Sequence, residues 1–393
     1  MYRVIANINT LDHTLIKRGE DPFALLDKVR RGEVDINGKT NEGYPFLIVA
    51  LILNKEDQFK WLLSQGANMD CFCPKGLKLG SHLYIFLKKN KPQELLNYPE
   101  IITPQDILNV ELAHLKIIFD LDFNFGLNFY KILYFSDYFE SFLMKAFDGF
   151  LDSLESQSEK VKLEIVKNQF LNSVWLNSLK KNQGYLENYF KSNQMIRVRC
   201  NIKNHYFEAI IKSVSNDTFE LTFIDRGFSF FQTEKHCKTE KYFRHQSFLC
   251  NNLKTTINHL VSWNSMDVKG INLFLRENKT HFKYIEPEEA PLNYIIKMKK
   301  MKGPYCLHLN SKTLLRFLFH DAFEWSRAEA IYKNFSNYFR RAALQDYGIT
   351  DQILCENFTN RYSSLFNCSG DLENIKQFQK KIIEKLGCMN NQL

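Results

Sequence analysis

Three residues stand where their chemistry could combine: a cysteine at a helix start, and a histidine and an aspartate on one candidate hairpin. In the segment KMKKMKGPYCLHLNSKTLLRFLF, Gly303-Pro304 breaks what precedes it and Cys306 follows. Leu309, Leu314, Leu315 and Leu318 then mark an amphipathic helix. A thiol at a helix N-terminus meets the positive end of the dipole, which lowers its pKa and makes it a nucleophile candidate. Lys297, Lys299, Lys300 and Lys302, just upstream, act in the same direction. No other cysteine has such a setting: Cys71 and Cys73 lie in a repeat region and Cys388 near a polar tail.

The second half of the constellation needs a hairpin. From about residue 195 the apolar period becomes two, with Ile196, Val198 and Cys200 alternating with Arg197 and Arg199. HYFEAII opens a further strand at His205, Ser215-Asn216-Asp217 reads as a turn, and FELTFIDRGF returns. With a three-residue loop, Val214 faces Thr218, His205 faces Gly227 and Asp225 faces Phe207. His205 and Asp225 are then diagonal neighbours on one face, about 7–8 Å apart at the backbone. A two-residue loop would put them on opposite faces, because one residue of slip reverses a strand. A carboxylate beside an imidazole fixes its tautomer and orientation, which suits a histidine acting as general base.

The elements that position these residues are read from the rest of the chain. At 393 residues it is too long for one ordinary core, and two domains are expected. The net charge of +8 is spread along the sequence rather than gathered on a stripe, so there is no specific nucleic-acid signal. No stretch reaches the ~20 apolar residues of a membrane span, and the first residues, MYRVIANINTLDHTLIKRGED, do not form a Sec signal. The nine cysteines include no CxxC pair, so neither a metal site nor a disulfide framework is indicated and reduced thiols fit best.

Toward the N-terminus the sequence repeats. Val34-Asp35-Ile36-Asn37 recurs as Ala67-Asn68-Met69-Asp70 and Gly43 as Gly76, both 33 residues on, which is the ankyrin period. The intervening GYPFLIVALILNKEDQFKWLLSQGANMD reads as one unit: a helix, a polar turn at Asn54–Asp57, a second helix, and Gly66 in a left-handed position. Residues 12–36 read as a leading partial repeat and 114–126 as a weaker, out-of-register copy. Each helix pair has one apolar face (Phe46, Val49, Leu53; Phe59, Leu62, Leu63) that only a stacked neighbour can bury. Residues 151–195 contain no proline and are expected to be helical.

GPYCLHLNSKTLLRFLF resembles the Gly-x-Cys-x-x-x-Asn-x-Lys-x-x-Leu box of ankyrin-bearing type IV secreted effectors of Legionella-type bacteria. AEAIYKNFSNYFRRAALQDY resembles the helix that follows it in those proteins. The resemblance spans roughly residues 195–350 and implies a papain-like C-terminal domain with the order His, Asp, Cys. It matches His205, Asp225 (in Ile-Asp-Arg-Gly) and Cys306 to the family's base, orienting residue and nucleophile. The family often carries a glutamine five or six residues before the cysteine to bind the oxyanion; here those positions hold Met301 and Lys300. Backbone amides at Tyr305 and Cys306 remain as donors, and a missing side-chain donor costs about 3–4 kcal/mol of transition-state stabilisation.

The expectation is therefore multidomain: an all-α ankyrin-repeat solenoid over residues 1–150, followed by an α+β papain-like cysteine-protease domain over 151–393. Cys306 would attack a peptide or isopeptide carbonyl, His205 would take and return the proton, and Asp225 would orient His205. No metal and no cofactor is implied. A thiol acyltransferase would use the same three residues, and a host-protein interaction scaffold with a degenerate protease domain would use none. Host proteins would bind the repeats, and the protein substrate is unknown. Secretion would follow a non-Sec route into the host cytoplasm, the nucleus also being open to it.

Overall fold

In a computed structural model of the chain, the described residues are 22–74, 76–119, 133–176, 195–202, 205–215, 217–225, 244–263, 266, 268–285, 306–351, 354–357, 360, 376–377 and 379–384. The chain divides into two compact units. Among the described residues, one holds Ser153–Tyr332 and the other those before Ser153 together with those from Lys333 onward.

That unit begins with helices α1 (Pro22–Arg30), α2 (Phe46–Ile52), α3 (Glu56–Ser64) and α4 (Leu79–Asn90). A 3-10 turn at Pro92–Asn97 leads to α5 (Pro104–Ile118) and α6 (Leu133–Ser153). The 33-residue spacing is carried by the backbone itself. A bridge between Lys39 and Pro45 recurs between Phe72 and Lys78, and the bond from Gly43 N–H to the Thr40 carbonyl recurs from Gly76 to Cys73. Gly43 and Gly76 hold φ of 82° and 80°, the left-handed region that favours glycine. The amide of Asn68 donates to Asn37 Oδ1 at 2.7 Å, joining one repeat tip to the next. Gly66, at φ 81°, ends α3 as expected. Phe46, Val49, Phe59 and Leu62 are almost fully buried. Of the weaker copy at 114–126, the part to Phe119 belongs to α5 and its end, and the rest lies outside the described residues.

Helix α11 (Trp325–Asp346) crosses the division between Tyr332 and Lys333. Its second half packs on α6: Phe335 lies 5.1 Å from Phe147 and Phe339 6.0 Å from Phe139, centroid to centroid. Gly149 is the close approach, since a Cβ there would collide with the Tyr338 hydroxyl.

The Ser153–Tyr332 unit is built on six strands in sequence order: β1 (Ser173–Trp175), β2 (Met195–Ile202), β3 (His205–Ser213), β4 (Thr218–Asp225), β5 (Arg244–Asn251) and β6 (Phe282–Tyr284). β1 is parallel to β2 and every other pair is antiparallel. Helix α7 (Gln157–Leu171), expected to run on to 195, stops at Leu171 because Ser173–Trp175 pairs with Arg197–Arg199. Alternation divides the sheet into two faces. Val198, Cys200, Phe207, Ala209, Leu221, Phe223, Phe248 and Cys250 form a core with helices α8 (Leu253–Ser262) and α9 (Val268–Glu277). The other face lies under α7 and helix α10 (Cys306–Ala322). The observed class is thus helix-rich with one mixed sheet. No helix among the described residues is long and apolar enough to cross a membrane.

Candidate functional site

The three candidate positions are element ends. His205 is the first residue of β3, Asp225 the last of β4, and Cys306 the first of α10. Ser213 pairs with Phe219 and Glu208 with Ile224, the register of a three-residue loop. Val214 N–H closes that loop on the Thr218 carbonyl at 2.9 Å. Because β3 and β4 are antiparallel, the start of one and the end of the other lie at the same end of the sheet.

Helix α10 reaches that end too. Asn310 Nδ2 donates to the Tyr206 carbonyl at 2.9 Å, and Lys212 donates to Asp321 at 2.8 Å. The helix therefore runs in the same direction as β3, with its early turns over Tyr206 and its late turns over Lys212. Cys306 precedes Asn310 by one turn, about 6 Å of helix rise, and so lies toward the His205 end.

The face assignment adds a constraint. In the ladder, positions 205 and 225 fall with Phe207 and Phe223, the set packed on α8 and α9, while α10 covers the set of Tyr206 and Glu208. The three backbone positions lie toward one end of the sheet, with α10 over the face opposite that of positions 205 and 225. Gly227, Lys300, Met301 and Tyr305 lie outside the described residues.

Sequence reading missed the polar cluster that holds α10 on the sheet. Arg197 and Glu208 are 1% and 0% exposed, with Nη2 to Oε1 at 2.5 Å and Nε to Oε2 at 2.9 Å. Tyr206 donates its hydroxyl to Glu208 at 2.5 Å, and Arg197 Nη2 donates to Ser311 Oγ at 3.2 Å. Arg197 Nη1 donates to the Phe170 carbonyl at 3.2 Å, with the guanidinium 4.4 Å from that ring. Alternation alone set Arg197 apart from the apolar Ile196, Val198 and Cys200. The available signal was a second charge, Glu208, diagonally across the β2–β3 ladder.

Burial makes four of the described thiols poor nucleophiles. It pushes Cys71 up to about 11, with Asp70 adding to the effect, and Cys355 to about 11. It pushes Cys250 to about 12 against a hydrogen bond with Thr256. Cys200 is raised well above its ordinary value by burial and by Glu208. An imidazole–carboxylate pair that the sequence reading did not single out joins His320 Nε2 to Glu329 Oε1 at 2.6 Å. It sits 14 residues along α10 from Cys306, roughly 21 Å of rise, and is braced by Arg316 and stacked on Trp325. Burial lowers the His320 pKa first, Glu329 opposes this and Arg316 reinforces it. This pair clamps the α10–α11 hairpin. In the repeat unit, a cleft of about 190 Å³ opens beside Asn37, Lys39, Asn68 and Phe72, below the roughly 300–1,000 Å³ of small-molecule sites. No group of three or more candidate metal ligands occurs among the described residues.

The chain is similar over nearly its whole length to a solved structure, that of the Legionella effector AnkH, with a TM-score of 0.54 and 12% identity, covering 98% of this chain and 85% of that one. The likeness is one of fold. No family model matches the sequence, and no curated protein does.

Proposed function

We propose that the chain is a Legionella-type effector whose sheet unit performs thiol acyl chemistry, with hydrolysis of a peptide or isopeptide bond as the reaction. Cys306 gives its thiol proton to His205 and attacks the carbonyl carbon, and the leaving amine takes that proton. Water, deprotonated by His205, cleaves the thioester to the acid as the proton returns to the departing Cys306 thiolate. Asp225 orients the imidazole. The observation that carries this reading is the pair of anchors, Asn310 to Tyr206 and Lys212 to Asp321, which brings the start of α10 to the sheet end formed by His205 and Asp225. The fold shared with AnkH supports the effector role. The 33-residue helix-pair repeat supports an ankyrin-type surface for host proteins.

The test is iodoacetamide labelling at pH 6–7 mapped by mass spectrometry. Cys306 is expected to label ahead of every other cysteine, and preferential labelling elsewhere with Cys306 inert counts decisively against an activated nucleophile. A second reading, a binding scaffold without turnover, is favoured by the assignment of positions 205 and 225 to the face away from α10. Full cellular activity of a Cys306→Ala variant would establish it.

A further inference from the structure

Asn310 lies one helical turn after Cys306, is fully buried, and donates its side-chain amide to the backbone carbonyl of the residue next to His205. Position 310 follows position 306 by about one turn, so the residue that fixes the first turns of α10 comes next along the helix after the candidate nucleophile. Ser311 adds a second tie through Arg197, itself locked to Glu208. Strand β3 thus holds both ends of the relationship: His205 opens it, and the Tyr206 carbonyl receives the helix. Because β4 runs back along β3, a small slip of α10 would move position 306 relative to both 205 and 225.

We infer that Asn310 is a positioning residue, setting the height of α10 along β3 and with it the distance between Cys306 and His205. The inference rests on the proposed thiol chemistry and adds to it a device the sheet supplies. Asn310 touches neither substrate nor reacting atoms. It acts by removing a sliding freedom that a helix packed only by Leu314, Leu315 and Leu318 would keep. An amide–carbonyl bond suits this role because it has one preferred length and direction, whereas apolar contacts tolerate displacement.

The experiment measures the Cys306 alkylation rate against pH in the full chain for wild type, Asn310→Ala and Leu318→Ala, with melting temperatures alongside. Both variants are expected to melt lower. Only Asn310→Ala is expected to lose reactivity below pH 7, severalfold at pH 6.5, moving the profile toward that of an ordinary thiol. If Asn310→Ala is insoluble, Ser311→Ala, which removes only an acceptor of Arg197, is expected to show a smaller shift in the same direction. A wild-type profile with enhanced reactivity at neutral pH that Asn310→Ala and Ser311→Ala leave unchanged overturns the positioning role alone. A shift of equal size in Leu318→Ala overturns it as well, by reducing the effect to general loosening. An ordinary thiol profile in the wild type overturns the thiol chemistry, and the positioning role with it.

Discussion

Arg197 and Glu208 form a two-pronged ion pair with both side chains sealed from solvent, between β2 and β3 and beneath α10. Taking both ions out of water is costly, and the Tyr206, Ser311 and Phe170 partners are what make the arrangement tenable. Removing one partner strands the other: Glu208→Gln is expected to cost about 3–5 kcal/mol in urea unfolding. The double change Arg197→Met with Glu208→Leu is expected to be less destabilised than either single variant. A double variant as unstable as the sum of the singles would mean that the pair is not coupled.

The repeat unit depends on the far end of the chain. Phe335 and Phe339 from α11 cover Phe147 and Phe139 of α6, so residues 1–152 expressed alone are expected to be poorly soluble or to bind a hydrophobic dye. Gly149→Ala places a methyl against the Tyr338 hydroxyl and is expected to destabilise by about 1–3 kcal/mol. Thermal unfolding of the full chain checks the second point, and a well-dispersed spectrum of the fragment would contradict the first.

His82 supplies a pH dependence. Burial pushes its pKa down to about 3 from an ordinary 6.5. A depressed histidine is more protonated unfolded than folded between those values, so stability is fully present above pH 6.5 and declines as the pH falls toward 3. His82→Leu is expected to flatten that part of the stability curve, as read by urea midpoints at pH 7, 6, 5 and 4. An unchanged slope would show that His82 titrates normally.

The legible parts of this fold were those written in local pattern. The 33-residue spacing appears because each hairpin tip needs its glycine, Gly43 and Gly76, and the β3–β4 register follows from a loop of fixed length, 215–217. What local pattern does not hold is partnership at a distance. The burial of Arg197 has no local sign because Glu208, Ser311 and Phe170, which bury it, lie 11, 114 and 27 residues away. The strand Ser173–Trp175 was hidden in a helical run because only pairing with β2 stabilises three residues as a strand. The return of α11 to the repeat unit has no local signature either, since its apolar period is the same whichever neighbour covers it. Of the candidate site, the backbone ends were legible as strand and helix boundaries. The face each presents depends on the packing of α10, which the sequence does not encode locally.

The most direct test of the central claim is whether His205 governs the thiol of Cys306. The measurement is the alkylation rate of Cys306 from pH 5 to 9 in wild type and in His205→Ala. A thiol lowered from about 8.5 to about 6.5 gains roughly 50-fold in thiolate at pH 6.5 but loses about 8-fold in intrinsic nucleophilicity, leaving a net gain of about 6-fold. The account predicts that gain in the wild type and its loss in His205→Ala. Superimposable profiles, each rising with an ordinary thiol pKa near 8.5, would contradict it.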